Sequence, residues 1–253
     1  MLVPTAVKGI LRRLHRLVTG TTYSRTLAPG FAMRRFLARV YVRGAGIEIG
    51  ALHHPLAIGR RARVRYVDRM DVAGLRRAYP DLQGQRLTPV HVVDDGEKLN
   101  SIADGSQDFV IANHFLEHTQ DPIGTLRRFL AVVRRGGVLY LAIPDGRYGF
   151  DKDRPLTTVD HLIRDHEDGP TWSYSDHVYE FSRLVNKCTG ERLEEHVRAI
   201  IRDNYSIHFH VWSHETFHDF LLAVREKYGL GFAVEASIFN RPLNESVSVL
   251  VKS

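Results

Sequence analysis

Gly46-Ile47-Glu48-Ile49-Gly50-Ala51-Leu52-His53-His54-Pro55 is the stretch on which the fold turns. Two isoleucines flanking an acid, closing on glycine, read as a short buried strand running into a tight turn. Gly50 lets the backbone take positive φ, or come close to a ligand, without a Cβ in the way. Such turns occur in any α/β protein. The strands that follow give this one its meaning.

Ala62 to Asp68 alternates apolar and basic residues and ends on an acid, a second strand with a short helix around Val72 to Tyr79 behind it. Val90 to Gly96 is a third strand, finishing on Asp94 and Asp95, and Gln107 to His114 a fourth. Pro122 to Arg135 is expected as a helix that stops at Gly136-Gly137, where glycine suits the C-cap. Val138 to Pro144 is nearly all apolar, as befits a fifth strand covered on both faces. Strands separated by helical or short connecting segments imply a parallel sheet with right-handed crossovers. After Asp145 the regularity breaks. Residues 146–210 are polar and rich in His, Asp and Arg, with helical periodicity only around Val178 to Leu184 and Glu191 to Arg202. That length is too great for a structureless loop, so it is expected as a partly helical insertion over the ligand-binding edge. His214 to Tyr228 then forms a helix capped by Ser213. Phe232 to Phe239 and Ser246 to Val251 close the sheet.

Toward the N-terminus, Phe31 to Tyr41 reads as a helix with Phe36, Leu37 and Val40 inward. Residues 5–18 place Val7, Ile10, Leu11, Leu14, Leu17 and Val18 at helical spacing opposite Lys8, Arg12, Arg13 and Arg16. This amphipathic basic helix suits either peripheral contact with an anionic membrane or packing on the domain with its basic face solvated, the commoner fate. Residues 1–47 hold nine Lys/Arg and no acid, so of the chain's net +6 the remaining residues carry −3. The slightly acidic body argues against nucleic acid as a partner. No apolar run reaches the roughly 18–20 residues of a membrane span. Arg12 and Arg13 interrupt any signal-peptide core. The single cysteine, Cys188, excludes an internal disulfide and a Cys-based zinc site, and a cytoplasmic location is expected.

In an open parallel sheet, ligands sit at the carboxyl ends of the strands. A carboxylate after the second strand can accept both hydroxyls of a ribose, and one after the third an adenine amino group, with Gly96 letting the ring approach. Singly, each acid reads as a solvated loop residue. Together they resemble the class I S-adenosylmethionine (SAM)-dependent methyltransferases, closely over residues 44–145 and loosely at the C-terminal strands. Glu48-Ile49-Gly50 resembles the family's first motif, Asp68 its ribose-binding acid, and Asp95-Gly96-Glu97-Lys98-Leu99 its adenine-side loop. Asp104 to Val110 followed by Leu116-Glu117-His118 is similar to the fourth-strand block, and Leu130 to Leu139 to the family's helix-to-strand turn. The runs E-I-G-A-L-H-x-P-L, V-D-D-G-E and A-N-H-F-L-E-H look like the branch found with polysaccharide biosynthesis enzymes.

The resemblance implies an α/β, Rossmann-like, seven-stranded and mostly parallel sheet with helices on both faces, N-terminal helices and the insertion after the fifth strand. Residues 1–43 would be a basic helical segment and 44–253 the SAM-binding domain, with 146–210 as an acceptor-binding lid. SAM would be held by Glu48, Gly50, Ala51, His53, Asp68, Asp94, Asp95, Gly96 and Asn113. One departure matters: the first motif usually carries two or three glycines, and here Gly50 is followed by Ala51, Leu52 and His53. The G-x-G-x-x-G of an NAD-binding turn is absent. So is the Asn/Asp-Pro-Pro-Tyr element carried by many related nucleic-acid amino-methylating enzymes.

Methyl transfer to a hydroxyl needs an aligned nucleophile and a base, or a metal that acidifies the hydroxyl. His114 after the fourth strand and Asp145 after the fifth are expected beside the transferred methyl, with His166 and His177 from the insertion as further catalytic candidates. If the segment is helical, His114 and His118 share a face that suits a metal; Glu117, His118 and Asp165 are the candidate ligands, magnesium a candidate ion. The Asp-His pairs at 160–161, 165–166 and 176–177, with His208 and His210, suit a divalent ion, oriented bases or a hydrated polar lid. Tyr148, Trp172, Tyr174 and Trp212 would suit sugar stacking. The expected activity is SAM-dependent O-methylation of a saccharide or glycoconjugate precursor, with an oligomannoside as the narrowest candidate. The alternatives are a small-molecule or lipid methyltransferase at a membrane surface, and a non-catalytic partner of a glycosyltransferase. Oligomeric state stays open.

Overall fold

The structure is a computed structural model and describes residues 29–253; the basic helix expected at 5–18 lies outside the described residues. Helix α1 (Pro29–Tyr41) leads into β1 (Gly44–Ile49), followed by β2 (Ala62–Asp68), α2 (Val72–Ala78) and β3 (Val92–Val93). Then come β4 (Gln107–Asn113), α3 (Pro122–Val132) and β5 (Val133–Pro144). Helices α4 (Val159–Asp168), α5 (Thr171–Glu180) and α6 (Gly190–Arg202) make up most of the insertion. Helix α7 (His214–Tyr228), β6 (Phe232–Asn240) and β7 (Glu245–Lys252) complete the chain.

Among the described residues the strands form one seven-stranded sheet in the order β3-β2-β1-β4-β5-β7-β6. The first five run parallel, and β7 is antiparallel to both β5 and β6. The order departs in opposite directions from β1 and β4, so their carboxyl ends flank the switch point where a ligand crevice forms. Side-chain alternation assigns the two faces. Ile47, Ile49, Val110, Ala112, Leu139 and Leu141 pack with α3 and α7 on one face. Phe109, Ile111, Tyr140, Ala142, Val247 and Val249 pack with α1 on the other. A third, smaller cluster joins Val178 and Val197 of the insertion to Ile207 and Phe209.

Several expectations are corrected. Helix α3 stops at Val132 and β5 begins at once, so Gly136-Gly137 sits inside a strand rather than capping a helix. The glycines serve a close approach there: a Cβ on Gly137 would lie 2.6 Å from Val133 and 2.8 Å from the Asp108 carbonyl. The third strand keeps only Val92 and Val93, because the Asp94 carboxylate turns the chain by accepting the amides of Asp95 and Ser101. The buried stripe of α1 contains Leu37, Ala38 and Arg34, whereas Phe36 is 61% exposed. Helix α4 was not expected; Thr158 caps it, and its polar sequence buries only Leu162 and Asp165. Trp212 lies in the core against Phe217 and Phe220, out of reach of a sugar.

Candidate functional site

The acids of the resemblance do meet at the strand ends, in different states. Glu48 is buried in β1 and its Oε1 accepts the Leu56 amide at 2.8 Å, folding the loop after Gly50 back onto the strand. Burial pushes its carboxyl up to about 7. Gly50 holds φ +63°, and no atom comes nearer than 3.7 Å to the place of a Cβ. Ala51 is buried, and Leu52 takes φ +45° and hands its carbonyl to the Thr88 amide and hydroxyl, both at 2.6 Å. The loop lacking the extra glycines thus crosses toward the segment before β3. His53 and His54 lie tilted against each other, 3.8 Å between ring centres, both lining a cleft of about 210 Å³ with Phe31 and Arg34.

Asp68 ends β2; burial raises its carboxyl, and Oδ1 accepts the Arg69 amide at 2.8 Å. Asp94 and Asp95 divide their work. The Asp94 carboxylate is saturated by its own loop, through the Asp95 amide and the amide and hydroxyl of Ser101. Asp95 accepts the Glu97 amide and pairs with Lys98 at 3.4 Å, and is the more open of the two. Gly96 packs so closely that a Cβ would stand 2.7 Å from Phe115 and 2.8 Å from Ile49. Asn113 ends β4 with both amide atoms buried and no well-aligned hydrogen bond, its side chain acting on the Glu48 carboxyl to favour the ionised form.

His114 follows with φ +51°, a left-handed conformation rare for a side chain of its size. The ring is 41% exposed, with Nε2 2.9 Å from Glu245 Oε2 and Nδ1 3.5 Å from Glu117 Oε1. Glu245 begins β7 and also accepts from Arg34 of α1 and from Asn240 Nδ2 at 2.5 Å. Burial alone would raise its carboxyl, but Arg34 and His114 hold it at about 2. An ionised carboxylate only accepts, so His114 donates from Nε2, while Nδ1 faces Glu117. Sequence reading missed Arg34 and Glu245, 211 residues apart. Their one signal was an acid heading a closing strand in which valine and serine alternate.

The remaining candidates engage other partners, apart from Glu117, whose Oε1 lies 3.5 Å from His114 Nδ1. Asp145 is buried with its carboxylate fully engaged by Arg147 and the His214 amide. Burial opposes its ionisation, yet these bonds keep the carboxyl below its usual range. His166 is clamped by Asp121 on Nδ1 at 2.9 Å and by Arg127 on Nε2 at 3.3 Å, leaving neither nitrogen free. Glu117, His118 and Asp165 separate into two groups. The segment after His114 is a short 3-10 turn, Leu116–His118, so the shared helical face does not form. Glu117 and His118 gather with His208; Asp165 gathers with His161, His177 and His210. Burial drives His118 to about 3, His177 to about 4 and His210 to about 3, so these rings are neutral. Magnesium prefers an all-oxygen shell, and both groups are rich in imidazole, so the donor sets do not suit the expected ion. Among the aromatic candidates Tyr148 stays 52% exposed, beside Arg147 and over Phe239. Trp172 is covered by Arg164, and Tyr174 packs on Phe209.

The methyltransferase-domain family matches this chain over residues 30–200. No curated protein matches it. A Listeria monocytogenes protein named as a candidate SAM-dependent methyltransferase is similar at 11% identity and TM-score 0.51, over 89% of this chain and 97% of its own. A Rhodobacter sphaeroides protein named as a candidate zinc-dependent alcohol dehydrogenase is similar at 15% identity and TM-score 0.52, over 100% of both. A Methanococcus maripaludis protein, named as a candidate SAM-dependent methyltransferase, aligns at 14% identity and TM-score 0.48, over 97% and 93%. At such identities the first two likenesses speak for the fold alone. No helix of the described residues is long and apolar enough to cross a membrane.

Proposed function

The chain belongs to the methyltransferase-domain family, whose methyl donor is SAM, and from that premise we propose that it methylates a hydroxyl of a saccharide or glycoconjugate precursor. The strand-end residues fit the donor. Asn113 offers a buried amide without a well-aligned hydrogen bond, Gly50 turns the chain tightly at the end of β1, and Asp68 and Asp95 stand at the ends of the neighbouring strands. Asp68 would take the ribose hydroxyls, Asp95 and Gly96 the adenine edge, and the Gly50–His53 loop with Asn113 the amino-acid end. The donor supplies an electrophilic methyl carbon. The chain's own task is to place the acceptor oxygen in line with it and remove the proton.

The observation that carries this reading is His114: half-exposed at the end of β4, with Nε2 fixed on ionised Glu245. A carboxylate that orients one ring nitrogen leaves the other as the base, the logic of carboxylate–histidine pairs generally. Nδ1 of His114, which lies 3.5 Å from Glu117 Oε1, is the nitrogen assigned to accept the acceptor's hydroxyl proton. Tyr148, the exposed aromatic nearest Asp145 and Arg147, offers a ring face and a hydroxyl to a sugar. The narrower choice of an oligomannoside rests on the branch resemblance of the E-I-G-A-L-H and A-N-H-F-L-E-H runs.

The test is calorimetry with SAM, then transfer of labelled methyl to a panel of mannosides, other sugars, small phenols and lipids. Wild type should bind SAM and Asp68→Ala should not, and label should pass to a sugar hydroxyl. Absence of SAM binding in wild type would sink the reading, and label appearing only on the lipid or phenol would move the acceptor class.

A further inference from the structure

Helices α4 and α5 and the segment after α6 bring four metal-ligating side chains to one buried point. His161 and Asp165 stand one turn apart on α4 and so share a face. His177 comes from α5 and His210 from the chain before α7. Each offers one donor atom, and all four atoms lie within 4.8 Å of one another. His161 Nε2 is 3.0 Å from His177 Nε2 and 3.2 Å from Asp165 Oδ2, and His210 Nε2 is 3.7 Å from the same oxygen. A tetrahedral ion with ligands at about 2.0–2.1 Å spaces its donors about 3.3 Å apart. These separations straddle that value.

The polar atoms show the same gap. Asp165 is wholly buried; its Oδ1 accepts the Ser173 hydroxyl at 2.6 Å, while Oδ2 faces His161 Nε2 at 3.2 Å and His210 Nε2 at 3.7 Å without a well-aligned hydrogen bond to either. His210 Nε2 lies between Asp165 Oδ2 at 3.7 Å and the Gln120 carbonyl at 3.4 Å, and its Nδ1 is buried without a hydrogen-bond partner among the described residues. An unsatisfied buried carboxylate oxygen facing imidazole nitrogens is costly, and a cation between them removes the cost. We propose that His161, Asp165, His177 and His210 bind one zinc ion, closing its tetrahedral shell and fastening α4, α5 and the segment before α7 together. Three imidazoles and one carboxylate suit zinc better than magnesium or calcium. Four protein donors leave no open position, which makes the site structural rather than catalytic. Ser173 orients the carboxylate from behind, as outer-shell partners of metal ligands do. The assignment stands apart from the proposed reaction, because it concerns metal content and not methyl transfer.

The test uses the full chain, stripped with chelator and reconstituted separately with Zn2+ and with Co2+. Elemental analysis should return one zinc per chain, and the cobalt form should show the strong visible absorption of a tetrahedral site. Asp165→Asn keeps the size of the side chain and its bond to Ser173, and should weaken zinc binding at least tenfold while the circular dichroism stays native. His161→Ala and His177→Ala should lose the cobalt absorption. The proposal is overturned if wild type holds no stoichiometric zinc. It is overturned equally if all three variants keep it, or if the metal is lost only with His118→Ala or His208→Ala, which would place it in the neighbouring group with Glu117.

Discussion

At the residue scale the chemistry narrows to His114. Truncating a positioned base costs about 10²–10⁴ in rate. His114→Ala should therefore lower kcat by that factor while leaving SAM affinity within a few-fold, read by label transfer and calorimetry on the same preparation. Glu48 gives a prediction of a different kind. Its carboxyl loses its proton near 4.5 in the unfolded chain and near 7 in the folded one, where burial disfavours the charge. The folded state therefore holds the extra proton between those values, and this contribution is full below about 4.5 and lost as pH rises through about 7. Glu48→Gln, still able to accept the Leu56 amide, should be near neutral at pH 4.5 and stabilising at pH 8 by at most about 3 kcal/mol. Urea titrations of both proteins across that range measure it; a constant difference would refute it. Sequence reading placed Asp68, Asp95 and His114 at strand ends because each follows a β-patterned run. It could not tell that the Asp94 carboxylate is saturated by Ser101 or that Asp145 is bound by Arg147, since both facts depend on side-chain direction.

At the scale of elements, the parallel strands were legible because β1, β4 and β5 are apolar runs bounded by turns. The insertion was not. Helix α4 hid because its inward face carries Asp165 beside Leu162, so polarity pattern and burial disagree. Helix α1 hid its anchor in the same way: the inward residue is Arg34, and the large apolar Phe36 points outward. Arg34 ties α1 to the start of β7 through Glu245. Removing one partner of a buried ion pair costs about 3–5 kcal/mol, because the other charge is left without compensation. Arg34→Met should lower the unfolding free energy measured by urea titration by that amount. Asn240 and His114 remain on Glu245 and set the lower end of the range.

At the scale of the whole molecule, donor binding should be visible as stability. A ligand at a hundred times its dissociation constant raises the unfolding free energy by about 2.7 kcal/mol. Saturating SAM should thus raise the Tm of wild type and leave Asp68→Ala unmoved. The chain from 207 to 210 links the sheet edge to the insertion and has no regular structure of its own. Ile207 and Phe209 enter the apolar cluster of α5 and α6. His208 reaches Asp151 and the Glu117 neighbourhood, His210 the Asp165 neighbourhood, and the Phe209 amide holds the strip on the Glu117 carbonyl. Odd positions are apolar and even positions are imidazoles, so the strip has parity. Losing or gaining one residue within 207–210 itself would put the residues beyond the change on the opposite side, driving an imidazole into the apolar cluster and leaving a polar group without its own. A change of two preserves the alternation. Length variation within this strip should then be permitted in even steps and forbidden in odd ones, an unusual restriction for a segment that looks like an ordinary loop.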